Sequence, residues 1–232
     1  MHKKLWAYGA PFSGKTTFAT AAPEHFVLST DGNAQYSTNS YKVITDEVTV
    51  TGRITQRKLA WEVFKEEIAK LEAESKYKTI IVDLVEDTYE MCRLYMYNKL
   101  GITHESDDSF RAWDKVRTEY LSTMRRLLNL PYDIVLLSHE DTSKDITKKS
   151  GENITAIKPN INDKVANKLA GMVALVGRAV CDNNEYQLQI KTDEVTFGGG
   201  RLGINNLTVP LDWTKVAELF EAKTAKTEKT TK

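Results

Sequence analysis

Residues 9–17 read Gly-Ala-Pro-Phe-Ser-Gly-Lys-Thr-Thr, and this stretch decides the fold. It matches the pattern GxxxxGK[ST] in full. The apolar run at residues 5–8 predicts a buried strand before it. A helix is predicted after it, from near Gly14 to Pro23, which cannot continue a helix. A strand, a glycine loop and a helix in this order predict a phosphate-binding loop.

Each part of this loop has a physical role. Glycines let the backbone wrap around phosphate oxygens without a Cβ in the way. The amides at the start of the helix face the anion, and the helix dipole favours negative charge there. Lys15 is expected to reach the β- and γ-phosphates, and the Thr16 hydroxyl to ligate Mg²⁺. The residues predicted to contact the nucleotide are Gly9, Ala10, Pro11, Phe12, Ser13, Gly14, Lys15, Thr16 and Thr17.

Apolar strands alternate with amphipathic helices along most of the chain. The first four strands are predicted at residues 5–8, 26–28, 79–82 and 134–137, the later ones at 173–181, 186–192 and 207–209, and helices at 55–74, 88–100, 110–127, 165–172 and 216–222. Strands that are apolar on both faces indicate an α/β fold with a mainly parallel sheet covered by helices. Antiparallel strands are expected toward the C-terminus. Ligands of such sheets bind at the carboxyl ends of the strands.

The same patterns set the domain organisation. Residues 1–222 are predicted to form one domain, and the Lys/Thr-rich residues 223–232 a disordered tail. Residues 48–50 are a possible edge strand. The polar stretch 141–162 is predicted to be a long loop or a protruding hairpin.

Composition excludes some classes of protein. The chain has 32 basic and 32 acidic residues, so no global positive field indicates a nucleic-acid partner, and any such contact must rest on a local loop. Cys92 and Cys181 lie in apolar-periodic stretches, which predicts reduced core residues in a reducing compartment. There is no signal-peptide pattern and no apolar run of membrane-spanning length. We therefore expect a cytoplasmic protein with no membrane partner.

Asp83 follows the apolar strand at residues 79–82. A carboxylate delivered there beside a phosphate loop is the Walker B arrangement, which holds Mg²⁺ through its water shell. Asp83 is thus the second predicted metal residue after Thr16. The alternative is an Asp that caps the following turn.

Two more polar groups follow predicted strands. Asp31, after the second strand, is a candidate to orient or deprotonate an attacking water; Glu86 and Glu140 compete for this role, and an Asp-Gly pair is often only a turn. His139, after the fourth strand, is a candidate sensor of the γ-phosphate, with a structural histidine as the alternative.

Basic residues offer two further hypotheses. Arg201 follows a run of three glycines and is a candidate to reach the nucleotide of a neighbouring subunit, where such a finger raises phosphoryl-transfer rates by roughly 10³–10⁵. A solvated surface Arg is the alternative, and Arg178 is a weaker candidate.

The stretch 141–162 is a candidate contact for single-stranded DNA, although it lacks an aromatic residue for base stacking and a merely solvated loop is the alternative. Its lysines are Lys144, Lys148, Lys149 and Lys158.

Together, the phosphate loop, Asp31, Asp83 and the Ser-His-Glu sequence at 138–140 resemble the phage-encoded RecA-like P-loop proteins. These are known as phage nucleotide-binding or AAA-domain proteins and include single-strand annealing ATPases. The resemblance spans residues 3–212 and implies a RecA-like P-loop NTPase fold that uses ATP and Mg²⁺. It implies Asp31 as the acidic catalytic residue, His139 as the sensor and Arg201 as the residue acting across a subunit interface. Asp31 departs from the family pattern, because RecA itself has the longer Glu.

The resemblance also implies partners. They are single-stranded DNA, identical subunits in a ring or filament, and a single-strand-binding protein, all in the host cytoplasm. The predicted function is an ATPase, dependent on single-stranded DNA, that acts in phage recombination or strand annealing. One alternative is a nucleotide-switched helicase-loading or regulatory protein. Another is a small-molecule kinase, which usually carries an Arg-rich lid, whereas residues 141–162 contain no Arg.

Overall fold

The computed structural model describes residues 2–73, 76–103, 107, 109–147, 151, 153–190, 195–204 and 208–230. The helices are α1 (Lys15–Thr20), α2 (Ala60–Ala73), α3 (Val85–Leu100), α4 (Ser109–Leu128), α5 (Asp163–Ala170) and α6 (Trp213–Thr230), with a 3-10 helix at Asn33–Tyr36. The strands are β1 (Lys4–Gly9), β2 (His25–Ser29), β3 (Tyr41–Val43), β4 (Glu47–Thr51), β5 (Ile54–Lys58), β6 (Thr79–Asp83), β7 (Asp133–Thr147), β8 (Asn153–Pro159), β9 (Leu175–Asp182), β10 (Glu185–Gln189), β11 (Gly199–Gly200) and β12 (Thr208–Pro210).

A mainly parallel sheet forms the centre of the molecule. Its strand order is β12-β10-β9-β1-β7-β6-β2-β3, with β11 on β9 and β8 on β7. The strands from β9 to β3 in this order run parallel, whereas β10 pairs antiparallel with both β9 and β12. The predicted α/β class, with a mainly parallel sheet and antiparallel strands toward the C-terminus, is therefore confirmed.

Each face of the sheet has its own hydrophobic core. Along β1, Trp6 and Tyr8 pack in one core with side chains of α2, α3, α4 and α5. Leu5 and Ala7 pack in the other with side chains of α1 and α6. This two-sided burial explains why the inner strands are continuous apolar runs. It also leaves the carboxyl ends of the strands as the place for polar groups.

The region before α2 differs from the sequence prediction. The predicted helix at 55–74 begins only at Ala60, because residues 54–58 form β5 and pair with β4. The predicted strand at 48–50 is confirmed as part of β4, but it belongs to a separate two-stranded sheet. A two-residue turn joins β4 and β5, and Gly52 supplies its left-handed backbone at φ 64°. Cross-strand pairing thus overrides the helical period at residues 55–58.

Two polar segments are more regular than their composition indicates. Within 141–162, β7 continues beyond the sheet to Thr147 and pairs back with β8, so the hairpin alternative is the observed one. In place of the short helix at 216–222 and the disordered tail from 223, α6 continues through Thr230; Thr231 and Lys232 lie outside the described residues. Buried Val216 and Phe220 anchor this helix, and the polar residues that follow continue its turns.

The two cysteines have different environments. Cys92 is buried, as predicted, but Cys181 is exposed, so the prediction of a second core cysteine is wrong. Cys181 lies near the end of β9, where its backbone pairs with that of Tyr186 in β10 and its side chain is exposed. Within the described part of the chain, no helix is both long and apolar enough to cross a membrane.

Candidate nucleotide site

The loop between β1 and α1 is held by neighbouring strands. Gly9 pairs with His139 of β7. A Cβ on Gly9 would lie 2.2 Å from the Ala179 carbonyl oxygen, so only glycine fits where β9 approaches. Gly14 has φ +83°, and a Cβ there would lie 2.8 Å from Cδ1 of Tyr186. Packing therefore requires both motif glycines before any ligand is considered.

Lys15 is a nearly buried cation, only 5% exposed. Its ammonium donates to the carbonyl oxygens of Gly9 at 2.9 Å and Ala10 at 2.7 Å, and to Ser13 Oγ at 3.4 Å. Burial lowers the pKa of Lys15, whereas the nearby charges of acidic residues raise it. Phosphate oxygens, which are stronger acceptors for an ammonium than neutral carbonyls, fit the same donor.

The start of α1 suits an anion. Its N-cap, Gly14, makes no side-chain capping hydrogen bond. The first amides of a helix have no partner within the helix, and they lie at its positive end. Ser13 and Lys15 are buried here, while Pro11, Phe12 and Thr17 are exposed. The residues predicted to contact the nucleotide thus lie together between the carboxyl end of β1 and the first turn of α1.

Thr16 and Asp83 meet although 67 residues separate them. The Thr16 hydroxyl donates to Asp83 Oδ2 at 2.8 Å. Asp83 is 3% exposed, and burial raises its pKa to about 6, against the lowering effect of the Thr16 hydrogen bond. A second contact comes from Thr30, whose hydroxyl donates to the Asp83 carbonyl oxygen at 3.1 Å.

This pair fits Mg²⁺. Hydroxyl and carboxylate oxygens are the hard ligands that Mg²⁺ prefers, and the ion keeps several waters and substrate phosphates in its shell. Among the residues that the structure describes, no three His, Cys, Asp or Glu side chains form a metal cluster. Thr16 and Asp83 would therefore hold the ion together with phosphate oxygens and water.

Glu86 and His139 contact each other at the carboxyl ends of the parallel strands, close to the phosphate loop. Glu86 Oε1 accepts the main-chain N–H of His139 at 2.8 Å and lies 2.9 Å from its ring Nδ1. Glu86 Oε2 is buried without a hydrogen-bond partner. Burial raises the pKa of Glu86 to about 7, and burial followed by the Lys15 charge lowers the pKa of His139.

The sequence indicated Glu86 only as a competitor of Asp31. The available signal was its place in the first turn of the helix that follows a strand ending in Asp, where a helix dipole stabilises a carboxylate. Its pairing with His139 was not readable from either residue. The two are 53 positions apart in the chain.

Asp31 lies at the same edge, because its charge raises the pKa of both Asp83 and His139. Its side chain is exposed and bonded locally. Oδ1 accepts from Ser29 Oγ at 3.2 Å and from the Asn33 main-chain N–H at 2.9 Å, and Oδ2 accepts from Asn33 Nδ2 at 2.6 Å. The catalytic role of Asp31 stays a prediction.

Ser138 and Glu140, on either side of His139, are engaged by neighbouring strands. The Ser138 hydroxyl is buried and accepts from Trp6 Nε1 at 2.6 Å. Glu140 accepts from Arg178 of β9 through both of its oxygens, with Nε at 2.7 Å and Nη2 at 3.2 Å. This two-bond geometry holds the side chains of Glu140 and Arg178 together.

Arg201 does not join these residues. Its main-chain N–H donates to the Ala174 carbonyl oxygen at 2.9 Å and its guanidinium to the Gly171 carbonyl oxygen. Arg201 therefore lies beside the start of β9, which pairs with the start of β1, at the opposite edge from the phosphate loop. The predicted role concerns a neighbouring subunit's nucleotide and stays a prediction.

The predicted DNA lysines are only partly described. Lys144 lies in β7, where its backbone pairs with Ala156 of β8. Lys158 Nζ contacts Asp163 Oδ2 at 3.3 Å. Lys148 and Lys149 lie outside the described residues.

Comparison with protein-family models gives a match over most of the chain. The family model described as AAA domain matches residues 1–202, which include the phosphate loop, Asp83, Glu86 and His139. Proteins with such P-loop domains bind ATP together with Mg²⁺. No curated protein sequence matches this chain.

Proposed function

This chain belongs to the AAA domain family, and we propose that it is a RecA-like ATPase that acts on single-stranded DNA in recombination or strand annealing. The observation that carries the ATPase part is the contact between Thr16 and Asp83 beside the buried Lys15 ammonium. A phosphate loop alone binds nucleotides. A Walker B acid beside it is what P-loop NTPases use, with the loop's Ser or Thr, to hold the Mg²⁺.

The side chains of this site divide the work of hydrolysis. The Lys15 ammonium and the amides at the start of α1 hold the phosphates in place. Thr16 would offer its hydroxyl oxygen to Mg²⁺, and Asp83, which accepts a hydrogen bond from that hydroxyl, would hold the water shell of the ion. The ion would supply positive charge that neutralises the phosphates.

The course of β7 supports the DNA part of the proposal. The strand passes the nucleotide site at His139 and continues into the hairpin with β8, with a register shift between Asp141 and Lys144. A change at His139 on nucleotide binding therefore reaches the hairpin through one strand. The hairpin carries Lys144 and Lys158, and basic side chains are the usual contacts to a nucleic-acid backbone.

Assembly and origin follow from the resemblance. We propose a ring or filament of identical subunits, a single-strand-binding protein as a further partner, and a phage origin with activity in the host cytoplasm. The position of Arg201 supports a head-to-tail arrangement. In such an interface one edge of each subunit meets a different edge of its neighbour, and Arg201 and the phosphate loop lie at opposite edges of the sheet.

The test is ATP turnover by the full chain with and without single-stranded DNA. We expect DNA to stimulate turnover and Lys15→Ala to reduce it by at least about 100-fold, as loss of a donor to a transition-state charge does. Lys115→Ala, which removes an exposed lysine on α4, is the matched control and leaves turnover unchanged. Turnover that ignores every single strand overturns the DNA part, and turnover that survives Lys15→Ala overturns the ATPase part.

A second candidate is a nucleotide-switched helicase-loading or regulatory protein. The β4–β5 hairpin favours it, because Val48 and Val50 are exposed on one face of a small sheet that is separate from the main one. Exposed apolar side chains that lie together mark protein contacts. Tight ATP binding without turnover, together with a stoichiometric protein complex, would favour this candidate over the first.

A further inference from the structure

The contact between Glu86 and His139 indicates how the attacking water loses its proton. We propose that His139 Nε2 accepts this proton and that Glu86 is the positioning residue that holds the His139 ring for the task. The inference rests on the ATP hydrolysis proposed above. It differs from a sensor role, in which His139 would only donate a hydrogen bond to the γ-phosphate.

One oxygen of Glu86 holds the ring of His139 at its Nδ1 end. The same oxygen, Glu86 Oε1, contacts both the main-chain N–H and the ring Nδ1 of His139, at 2.8 and 2.9 Å. A neutral imidazole carries one N–H, so a proton on Nδ1 leaves Nε2 as an acceptor. The Glu86 side chain is 12% exposed and that of His139 36% exposed. The buried acid thus holds one end of the ring, while the ring remains partly open to solvent.

His139 lies beside the phosphate loop. It is the register partner of Gly9, the first residue of the loop. The charge of Lys15 lowers the pKa of His139, which places the imidazole within electrostatic reach of the ammonium that holds the phosphates. A water between the ring and the γ-phosphate would therefore contact the side of the imidazole away from Glu86.

Several charged groups face this pair. Lys15, Asp31 and Asp87 act on His139, and Asp83 and Asp87 act on Glu86. Burial and the Lys15 charge lower the pKa of His139, which favours the neutral form that accepts a proton. Burial raises the pKa of Glu86 to about 7, against the lowering effect of the main-chain N–H that Oε1 accepts, so the carboxylate form is present above about pH 7. A carboxylate oxygen can only accept, so in this form the proton between the two groups resides on Nδ1.

Asp31 and Glu140, the other two candidates for the water-activating role, are engaged elsewhere. Both oxygens of Asp31 accept hydrogen bonds from residues within two positions of it. Both oxygens of Glu140 accept from Arg178. Glu86 differs, because one of its oxygens serves His139 and the other is buried without a partner.

The chemical step balances. The water oxygen forms a bond to the γ-phosphorus, and the bond from that phosphorus to the bridging oxygen breaks, leaving its electron pair on ADP. The water proton passes to His139 Nε2, and the imidazolium is stabilised by the Glu86 carboxylate through Nδ1–H. The imidazolium then releases the proton to solvent, which regenerates the starting form.

The first test needs no turnover. Ring ¹H–¹⁵N NMR of the nucleotide-free protein is expected to show His139 protonated on Nδ1, with the signal assigned by its loss in His139→Gln. Glu86→Gln keeps an acceptor but removes the charge, so the pKa of His139 is expected to fall by about one unit or more. Glu90→Gln, on the exposed side of the same helix, is the matched control and leaves the pKa unchanged. A proton on Nε2 instead of Nδ1 overturns the proposal and leaves His139 as a donor.

The second test is the pH dependence of turnover. His139→Gln is expected to lower kcat by about 10²- to 10⁴-fold, the usual contribution of a general base, and to remove the acidic limb of the pH–rate profile. Glu86→Gln is expected to lower kcat and move that limb, whereas Glu90→Gln does neither. Affinity for a non-hydrolysable ATP analogue is expected to stay within about twofold in all three, since a base acts on water and not on the bound nucleotide.

The outcomes separate the two proposals. Absence of turnover in the wild-type protein removes the proposed ATPase and this inference with it. Normal turnover in the wild type that persists in both His139→Gln and Glu86→Gln overturns this inference alone. A loss of turnover with an unchanged pH profile also overturns it, because that pattern indicates a structural role.

Discussion

The neighbouring strands β2 and β6 both deliver a carboxylate at their carboxyl ends, but the two carboxylates have different surroundings. Asp83 at the end of β6 is buried and accepts a hydrogen bond from Thr16 of α1. Asp31, two residues after the end of β2, is exposed and accepts from Ser29 and Asn33. One carboxylate has a partner from a distant element, and the other only partners within two positions. The same residue type in similar places thus has different surroundings.

The strand order explains the difference. β6 lies between β7 and β2, so its end is enclosed by inner elements and by α1 and α3. β2 lies next to the edge strand β3, where fewer elements cover the strand end. Burial removes water from a carboxylate and raises its pKa unless partners compensate. The end of β6 therefore holds carboxyl groups whose pKa values are raised, and groups with shifted pKa values are frequent at functional sites.

The largest expected effect is on turnover, when the charge of Asp83 is removed and compared with removal of the charge of Asp31. Asp83→Asn is expected to reduce Mg²⁺-dependent turnover by about 10- to 100-fold, the usual effect of losing a group that orients a metal's ligands. Asp31→Asn is expected to reduce it by less than about fivefold, since exposed charges contribute at most about 1 kcal/mol. Steady-state assays over a range of Mg²⁺ concentrations measure both. An equal loss of turnover in Asp83→Asn and Asp31→Asn would indicate that Asp31 activates the water.

A pH effect on stability is expected at the end of β6. Burial raises the pKa of Glu86 from 4.5 to about 7 and that of Asp83 from 3.8 to about 6. Between these values the folded state binds more protons than the unfolded state, so both groups make the free energy of unfolding fall as the pH rises. This contribution is complete below the unfolded pKa values and is lost as the pH passes the folded ones.

Urea unfolding of the nucleotide-free protein tests this sign. Between about pH 5 and about pH 8, Glu86→Gln is expected to lose less stability than the wild type, because it lacks one of the two titrating groups. Glu90→Gln serves as the control and follows the wild type. Identical slopes in the wild type and Glu86→Gln would show that Glu86 does not titrate as its burial predicts.

The smallest effect is expected at the end of β2. Asp31 Oδ1 accepts the main-chain N–H of Asn33, the first residue of the 3-10 helix, so Asp31→Ala removes a local side-chain to main-chain hydrogen bond. Loss of such a hydrogen bond typically costs about 1 kcal/mol of unfolding free energy. Gln35→Ala, at an exposed position of the same 3-10 helix, is the control and is expected to change little. Urea midpoints that are equal for the two variants would contradict a stabilising role for the hydrogen bond between Asp31 and Asn33.

The success of prediction from sequence depended on the distance over which each signal acts. The phosphate loop and the strand ending at Asp83 were predictable, because each is a contiguous pattern with a local physical cause. The hairpin at residues 47–58 was partly missed, because cross-strand pairing of β5 with β4 competes with a helical period that begins nearby. The continuation of α6 was missed because its anchor, Phe220, lies before the polar stretch that indicated disorder.

By itself, the sequence determined the alternation of the inner parallel strands with the main helices, the two-sided burial of the sheet and the phosphate loop at the end of β1. These properties follow from periodicity and from backbone geometry, which neighbouring residues set. Only the tertiary structure decided which polar groups at the sheet edge are buried together: Thr16 with Asp83, and Glu86 with His139. The physical reason is that a buried charge depends on the elements that enclose it, and those elements come from distant parts of the chain.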